Sequence, residues 1–283
     1  MKRQQGAAII MAMLVVAVTA TLVTGAYWRQ SIVLRQAENE LAYAQAKWLL
    51  RGAMDWAALI LREDARTSAV DHLGEPWAVP LADTHLNPGD GRDPVYLAGE
   101  VRDEQAKFNL RNLAGPKGVN EPELAVLRRL LELAGASAAA ADPIAQRVIA
   151  PDLPALLSVD DLGGLDAEVI ERLRPFVTVL PQRTAINANT APAEVLAARF
   201  DLGLAEARRL VASRARAYFN NRGDVLARIP ELKLQASDAD ISTATQFFIV
   251  EGVVSFRRAR LHTRALLRRE TNRVEALWVR EAA

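Results

Sequence analysis

No residue between positions 4 and 28 carries a charge, and most are Ala, Val, Ile, Leu or Met. A helix needs about 20 such residues to cross the hydrocarbon core of a bilayer, so this segment is long enough to span one. From Ser31 to Arg66 there is no proline and only one glycine, Gly52. Across that stretch Val33, Ala37, Leu41, Ala44, Trp48, Gly52, Trp56 and Ile60 recur at steps of three or four, one stripe on a helix. Span and stripe together predict one continuous helix of about 60 residues, on the order of 90 Å long at 1.5 Å per residue. Lys2 and Arg3 precede the span and hold the N-terminus in the cytoplasm by the positive-inside tendency, which Arg29 and Arg35 beyond it weaken. The short tail, with little to translocate, still favours a cytoplasmic N-terminus.

Three readings of the first residues compete. A secretory signal peptide would be cut near Val18-Thr19-Ala20, and an uncleaved signal anchor would keep the whole segment. A prepilin-like leader would be cut after Gly6, leaving the apolar helix at a new N-terminus, Ala7. The phase of the helix favours the last. A cleaved signal peptide has no reason to continue in register into an amphipathic helix. A pilin-type subunit does, because its apolar first half packs in a filament core and its second half lies against a globular head.

Taken whole, the 283 residues read as globular: 51% are hydrophobic and 24% charged, outside the range of disordered chains. With 35 basic against 34 acidic residues the net charge is +1, which gives no bulk attraction to nucleic acid or anionic lipid. There is no cysteine, so disulfides, thiolate metal sites, a cysteine nucleophile and a lipobox are all excluded.

Residues 72 to 94, rich in Pro, Gly, Asp and Asn, read as turns and loop. Alternation from Val95 through Val101 to Phe108 and Leu110 reads as strand. Helices follow: EPELAVLRRLLELAG, with Pro122 near its start and Gly135 past its end, then ADPIAQRVIA and VDDLGGLDAEVIERLRPFV. TAPAEVLAARFDLGLAEARRLVASRARAYF reads as two helices and a turn, with Thr190 as N-cap and Pro192 in the first turn. NRGDVLARIPEL echoes the rhythm of VDDLGGLDAEVI as a weak internal repeat. The chain then closes on the strands FFIVEGVVSF, RARLHTRALLRR and VEALWVRE. Isolated ribbons are marginal, so the last strands are expected to pair with the first across the helical segment. The expected architecture is α+β: an antiparallel sheet with a long N-terminal helix and a large inserted all-helical domain.

Catalytic constellations are missing from the sequence. His72, His85 and His262 have no partner spacing, and no HExxH, GxSxG, P-loop or GxGxxG is present. Asp160-Asp161 reads as a helix cap. The loop NPGDGRD offers oxygen donors at Asn87, Asp90 and Asp93 but fails EF-hand spacing. A membrane-anchored helix-hairpin-helix DNA-binding protein is the alternative function, with Arg208, Arg209, Arg214 and Arg216 beside the hairpin. Against it, Asp201-Leu202-Gly203-Leu204 has one glycine where a phosphate-binding hairpin usually has two, and an aspartate that repels phosphate.

Several stretches in order along the chain resemble one family, the type II secretion minor pseudopilin K (general secretion pathway protein K). They are KRQQG followed by AAIIMAMLVV, WLLRGAMDWAALIL, VRDEQAKFNLRNLAG, LLSVDDLGGL, TVLPQRTAINANTAPAEVLAA and FFIVEGVVSFRRARLHTRALLRR. The resemblance implies a non-enzymatic, pilin-like protein whose insert is of the helix-hairpin-helix or SAM-like kind. On that pattern residues 1–6 are a leader, 7–28 a transmembrane helix, 29–112 with 246–283 the α+β head, and 113–245 the helical insert. The family is held in the bacterial inner membrane with a cytoplasmic N-terminus and a periplasmic head, and helps initiate the pseudopilus at whose tip it sits. Its implied partners are the minor pseudopilins I and J, with H next, and the prepilin peptidase; no nucleic acid is expected. By carry-over the peptidase cuts between Gly6 and Ala7 and methylates Ala7. Calcium has been associated with the family's insert, and the resemblance places none of its ligands here. Asn87, Asp90 and Asp93 are candidates only as loop oxygen donors.

Pilin-type subunits generally carry a glutamate five residues after the cut, and this chain has Met11 there. A carboxylate in an apolar filament core is costly unless it faces a cation. The cation in such filaments is the N-terminal amine of the neighbour nearer the tip. A subunit with no neighbour above it gains nothing from the acid, and pseudopilin K shows the same departure.

Overall fold

A computed structural model of the protein describes residues 3–86, 94–150, 158–162, 166–229, 240–271 and 273–282. It opens with one helix, α1 (Arg3–Thr67), of 65 residues. At 1.5 Å per residue that is roughly 100 Å, and no proline interrupts its ladder.

Against the C-terminal third of α1 lies a five-stranded sheet of β1 (Leu81–Leu86), β2 (Val95–Asp103), β3 (Phe247–Phe256), β4 (Ala259–Glu270) and β5 (Arg273–Ala282), paired in that order. Every pairing is antiparallel. The first and last strands therefore join across the helical segment, because β2 and β3 are sheet neighbours although residues 104–246 separate them in sequence. β1 falls within the stretch expected to be loop. Its sequence, LADTHL, has only three apolar residues, and it is an edge strand, where a short polar segment is tolerated.

The helix face that meets the sheet is Ala42, Ala46, Leu50, Ala57 and Leu61, all buried. They pack on Val254, Phe256 and Leu261 at one end and on Trp77, Phe248, Val250 and Leu267 at the other. This is not the face that the apolar periodicity singled out. Leu41 and Trp48 of that stripe are exposed, Trp48 at 73%, whereas Trp56 and Ile60 flank the contact and line a groove with Leu97, Gly99 and Val250 of the sheet. Two apolar faces share one helix, and the sheet takes the one rich in alanine because the approach is close. A Cβ on Gly252 of β3 would sit 3.1 Å from Leu50 Cδ2.

The opposite sheet face, through Phe247, Ile249 and Leu266, packs on Leu180 of the helical lobe. That lobe holds α2 (Glu121–Leu133), α3 (Ala141–Ile149), α4 (Ala167–Leu173), α5 (Ala193–Phe200), α6 (Leu204–Arg216) and α7 (Arg222–Arg228). Its core runs from Phe108 to Ile241 and is built largely of Leu, Ala, Val and Ile. α2 has Pro122 in its first turn, and Gly135 just past its end takes the left-handed φ of +72° that favours glycine. The sheet, the long helix and the helical lobe make up the expected α+β class.

Gly99 and Gly252 face each other across β2 and β3, and a Cβ on Gly99 would lie 2.8 Å from the backbone oxygen of Glu251. Backbone cannot yield as a side chain can. Gly99→Ala is expected to destabilise the head by about 1–3 kcal/mol. Gly52→Ala, with nothing within 4 Å, is expected to be neutral or to stabilise by up to about 1 kcal/mol. Thermal melts of both variants in detergent check the contrast.

Candidate assembly interface

Among the described residues, none packs over the apolar half of α1. None of its most apolar window is buried, and Ile9, Ile10, Met11, Met13 and Leu14 all project outward. Gly6 and Ala7 lie in the first turns of the helix, and Ala7 is exposed. Met11 is 66% exposed on the same bare rod. An apolar helix surface of this extent is stable only under lipid or under other helices. The outward stripe carries that character on beyond the span through Leu34, Leu41, Trp48 and Leu59, all exposed.

Where rod, sheet and helical lobe meet, the contact is polar and buried. Asp103, the last residue of β2, is fully enclosed and accepts four hydrogen bonds. Oδ1 takes them from Gln105 N–H at 2.7 Å and the Thr245 hydroxyl at 2.7 Å. Oδ2 takes them from Asn187 Nδ2 at 2.8 Å and the Thr190 hydroxyl at 2.6 Å. Thr190 is therefore not the expected N-cap. α5 begins three residues later, after Pro192, and the hydroxyl is spent on Asp103. Asn187 also donates to the Asp71 carbonyl, and its neighbour Asn189 clasps both backbone groups of Phe219.

The network continues to α1. Asp71 accepts from Thr245 N–H at 2.7 Å, and both its oxygens receive Arg269 Nη2 at 2.6 Å. The other arm of Arg269 reaches Asp64 near the end of α1 at 2.7 Å. Through these contacts one chain of bonds links α1, β2, β4 and the helical lobe. Burial holds the Asp103 carboxyl up at about 6, its hydrogen bonds pulling the other way. Asp64 is raised to about 6 by burial and by Glu75, against the pull of Arg269. Burial also raises Asp71.

Asp64, Asp71 and Glu75 bring three carboxylates within 4.8 Å of one another, the one such grouping among the described residues. It does not fit a calcium ion. Arg269 already supplies a cation to two of the acids, and Glu75 Oε2 accepts from Trp77 Nε1 at 2.8 Å and His72 N–H at 2.9 Å. Asn87, Asp90 and Asp93 lie outside the described residues. Of the hairpin arginines, Arg214 is buried and donates to the Ala188 carbonyl at 2.7 Å, a structural role. Asp201 takes the left-handed conformation at the end of α5 and pairs with Arg129 at 2.9 Å. Asp160 pairs with Arg174, and Asp161 accepts from Ser158 N–H in the short turn Val159–Leu162. His72 stacks on Tyr218 and His85 packs edge-on to Tyr96.

A carboxyl whose folded pKa is raised holds its proton more tightly in the folded state, so its contribution to stability is complete below the unfolded value and is lost as pH rises through the folded one. Asp103 and Asp64 set that window between 3.8 and about 6. Their contribution to head stability is thus expected to fall as pH rises from 4 to about 6, and Asp103→Asn to flatten the slope. Melting temperature against pH for both proteins tests the sign.

The family model for the type II secretion system protein K matches residues 186–244, the segment that holds Asn187, Thr190 and the α5–α6 hairpin. Among curated proteins, the type II secretion system protein K of Pseudomonas aeruginosa is 29% identical over 89% of this chain and 85% of its own length. That of Klebsiella pneumoniae is 28% identical over 95% of this chain and 93% of its own. Among solved structures, a chain of the GspK-GspI-GspJ complex of the enterotoxigenic Escherichia coli type 2 secretion system superposes with a TM-score of 0.70 at 21% identity. It covers 88% of this chain and 99% of that one. Near-full-length likeness to proteins of one name, a family match on the segment that supplies the buried joint, and a shared fold make this chain similar to the type II secretion system protein K proteins.

Proposed function

We propose that this protein is a minor pseudopilin that sits at the tip of the type II secretion pseudopilus and helps start its assembly. The bare apolar half of α1, with Met11 at its fifth residue after Gly6, carries the reading. In the bilayer the rod is covered by lipid; in a growing filament it is covered by other rods. Residues 1–6 act as the leader and 7–28 as the span, with the N-terminus cytoplasmic and the head periplasmic in the inner membrane. The prepilin peptidase cuts between Gly6 and Ala7 and methylates Ala7. GspI and GspJ stand beside the chain that shares this fold. Their counterparts, with pseudopilin H below, are the proposed partners. The outward Leu41, Trp48 and Leu59 stripe gives them a helix face that the head leaves free. The helical lobe, residues 113–245, obstructs a further subunit from stacking above.

Mass spectrometry of the mature chain is expected to find it beginning at methylated Ala7. Gly6→Ala is expected to leave the leader attached and to abolish secretion. Normal secretion by that variant would overturn the leader assignment. Met11→Glu is expected to insert normally yet lower recovery of the tip complex by co-purification, and Trp48→Ala to lower it without changing head stability.

A further inference from the structure

Several arginines of the helical lobe have acids to meet. Arg128 pairs with Asp142, Arg129 with Asp201, Arg172 with Glu168 and Arg174 with Asp160 and Glu171. One place departs from this. An open cavity of about 440 Å³ between α6 and α7 is lined by Arg209, Ala212, Ser213, Arg216, Ala217 and Arg228, with no acid among them. Positions 209, 212, 213 and 216 follow the three- and four-residue steps of one helix face, so α6 turns two guanidinium groups to the same side. Arg209 and Arg216 are exposed, and neither meets a carboxylate among the described residues. Arg228 closes the cavity from α7. Its guanidinium is fixed by the Ala217 carbonyl at 2.7 Å and the Ser213 hydroxyl at 3.1 Å, and lies 4.6 Å from the ring centre of Phe219. Asp224 acts on Arg228 through space, but its Oδ2 already accepts two bonds from Asn220.

We infer that this cavity is a binding site for a compact anionic group, the paired carboxylates of an acidic segment on a partner protein. Forked guanidinium groups match carboxylates in two-bond geometry, and the small side chains of Ala212 and Ala217 leave room for a chain to approach. The surrounding charges favour a short acidic segment over a nucleic-acid backbone. A backbone needs cations along a track, whereas here the hairpin end of α6 presents Asp201 and Glu206. The site lies on the lobe and not on the rod, so it is independent of the processing and tip assignments.

The test is fluorescence polarisation of a labelled oligo-glutamate against the full-length protein in detergent. Binding is expected at low salt, to weaken about tenfold or more in Arg209→Gln with Arg216→Gln, and to decline as salt is raised. Both arginines are exposed, so the fold is expected to survive, and an unchanged melt checks it. Arg216→Glu alone is the second variant, expected to weaken binding at least as far as loss of one charge. Absence of binding, or equal binding by wild type and variants, overturns the site. Tighter binding of a short DNA duplex through the same arginines overturns the choice of partner.

Discussion

A helix of 65 residues cannot be sheltered by a head that covers only the stretch from Ala42 to Asp64. Everything else about the molecule follows from that mismatch. The uncovered half is too apolar for water and contains no charge for 25 positions, so its stable surroundings are lipid tails or other apolar helices. The covered part is specialised differently. Alanines at 42, 46 and 57, with Gly252 across from Leu50, let the sheet approach the helix closely. The outward face keeps its large residues, Leu41, Trp48 and Leu59, exposed. One rod thus presents three faces: one for the bilayer, one for the sheet, and one left open.

The joint between rod, sheet and helical lobe is held by hydrogen bonds rather than by apolar packing alone. Burying Asp103 is costly, and four donors from three segments of chain offset that cost only when each is in place. Apolar contacts tolerate sliding; a carboxylate with all its lone pairs assigned does not. The lobe is therefore fixed in orientation relative to the rod. Contacts made by the lobe, including those at the Arg209–Arg216 cavity, are delivered at a defined place with respect to the membrane.

The sequence made the long helix, the class of fold and the sheet that closes across the insert legible, because each rests on local signals: absence of charge and proline, alternation, and turn chemistry. It misdirected on the rod's contact face. A stripe of Val, Leu and Trp is a stronger periodic signal than one of Ala, yet the sheet selected Ala for its size, a property of the partner surface and not of the helix. β1 was hidden because an edge strand need not be apolar. The polar joint was hidden because its members stand at 64, 71, 103, 187, 190, 245 and 269. No window of sequence holds them together. The run INANT did carry a hint, since two asparagines and a threonine are too many polar groups for an apolar segment unless each has an assigned partner.

Met11 shows how far a single side chain can carry functional meaning without making a contact. On the bare helix a methionine costs nothing in lipid and nothing among neighbouring apolar rods. A glutamate there would need a cation, and the chain offers none on that part of the rod, since the nearest basic residues along α1 are Arg3 and Arg29. The cation must come from another subunit's amine, and only a subunit with a neighbour above it would have one. Under the tip reading the apolar residue at this position is the form of the rod that is stable at a filament's end. The same choice disfavours the chain from an interior place, where its neighbour's amine would be left without an acid. Under that same reading, one side chain in an otherwise ordinary apolar helix sets a subunit's place in the assembly through electrostatics alone.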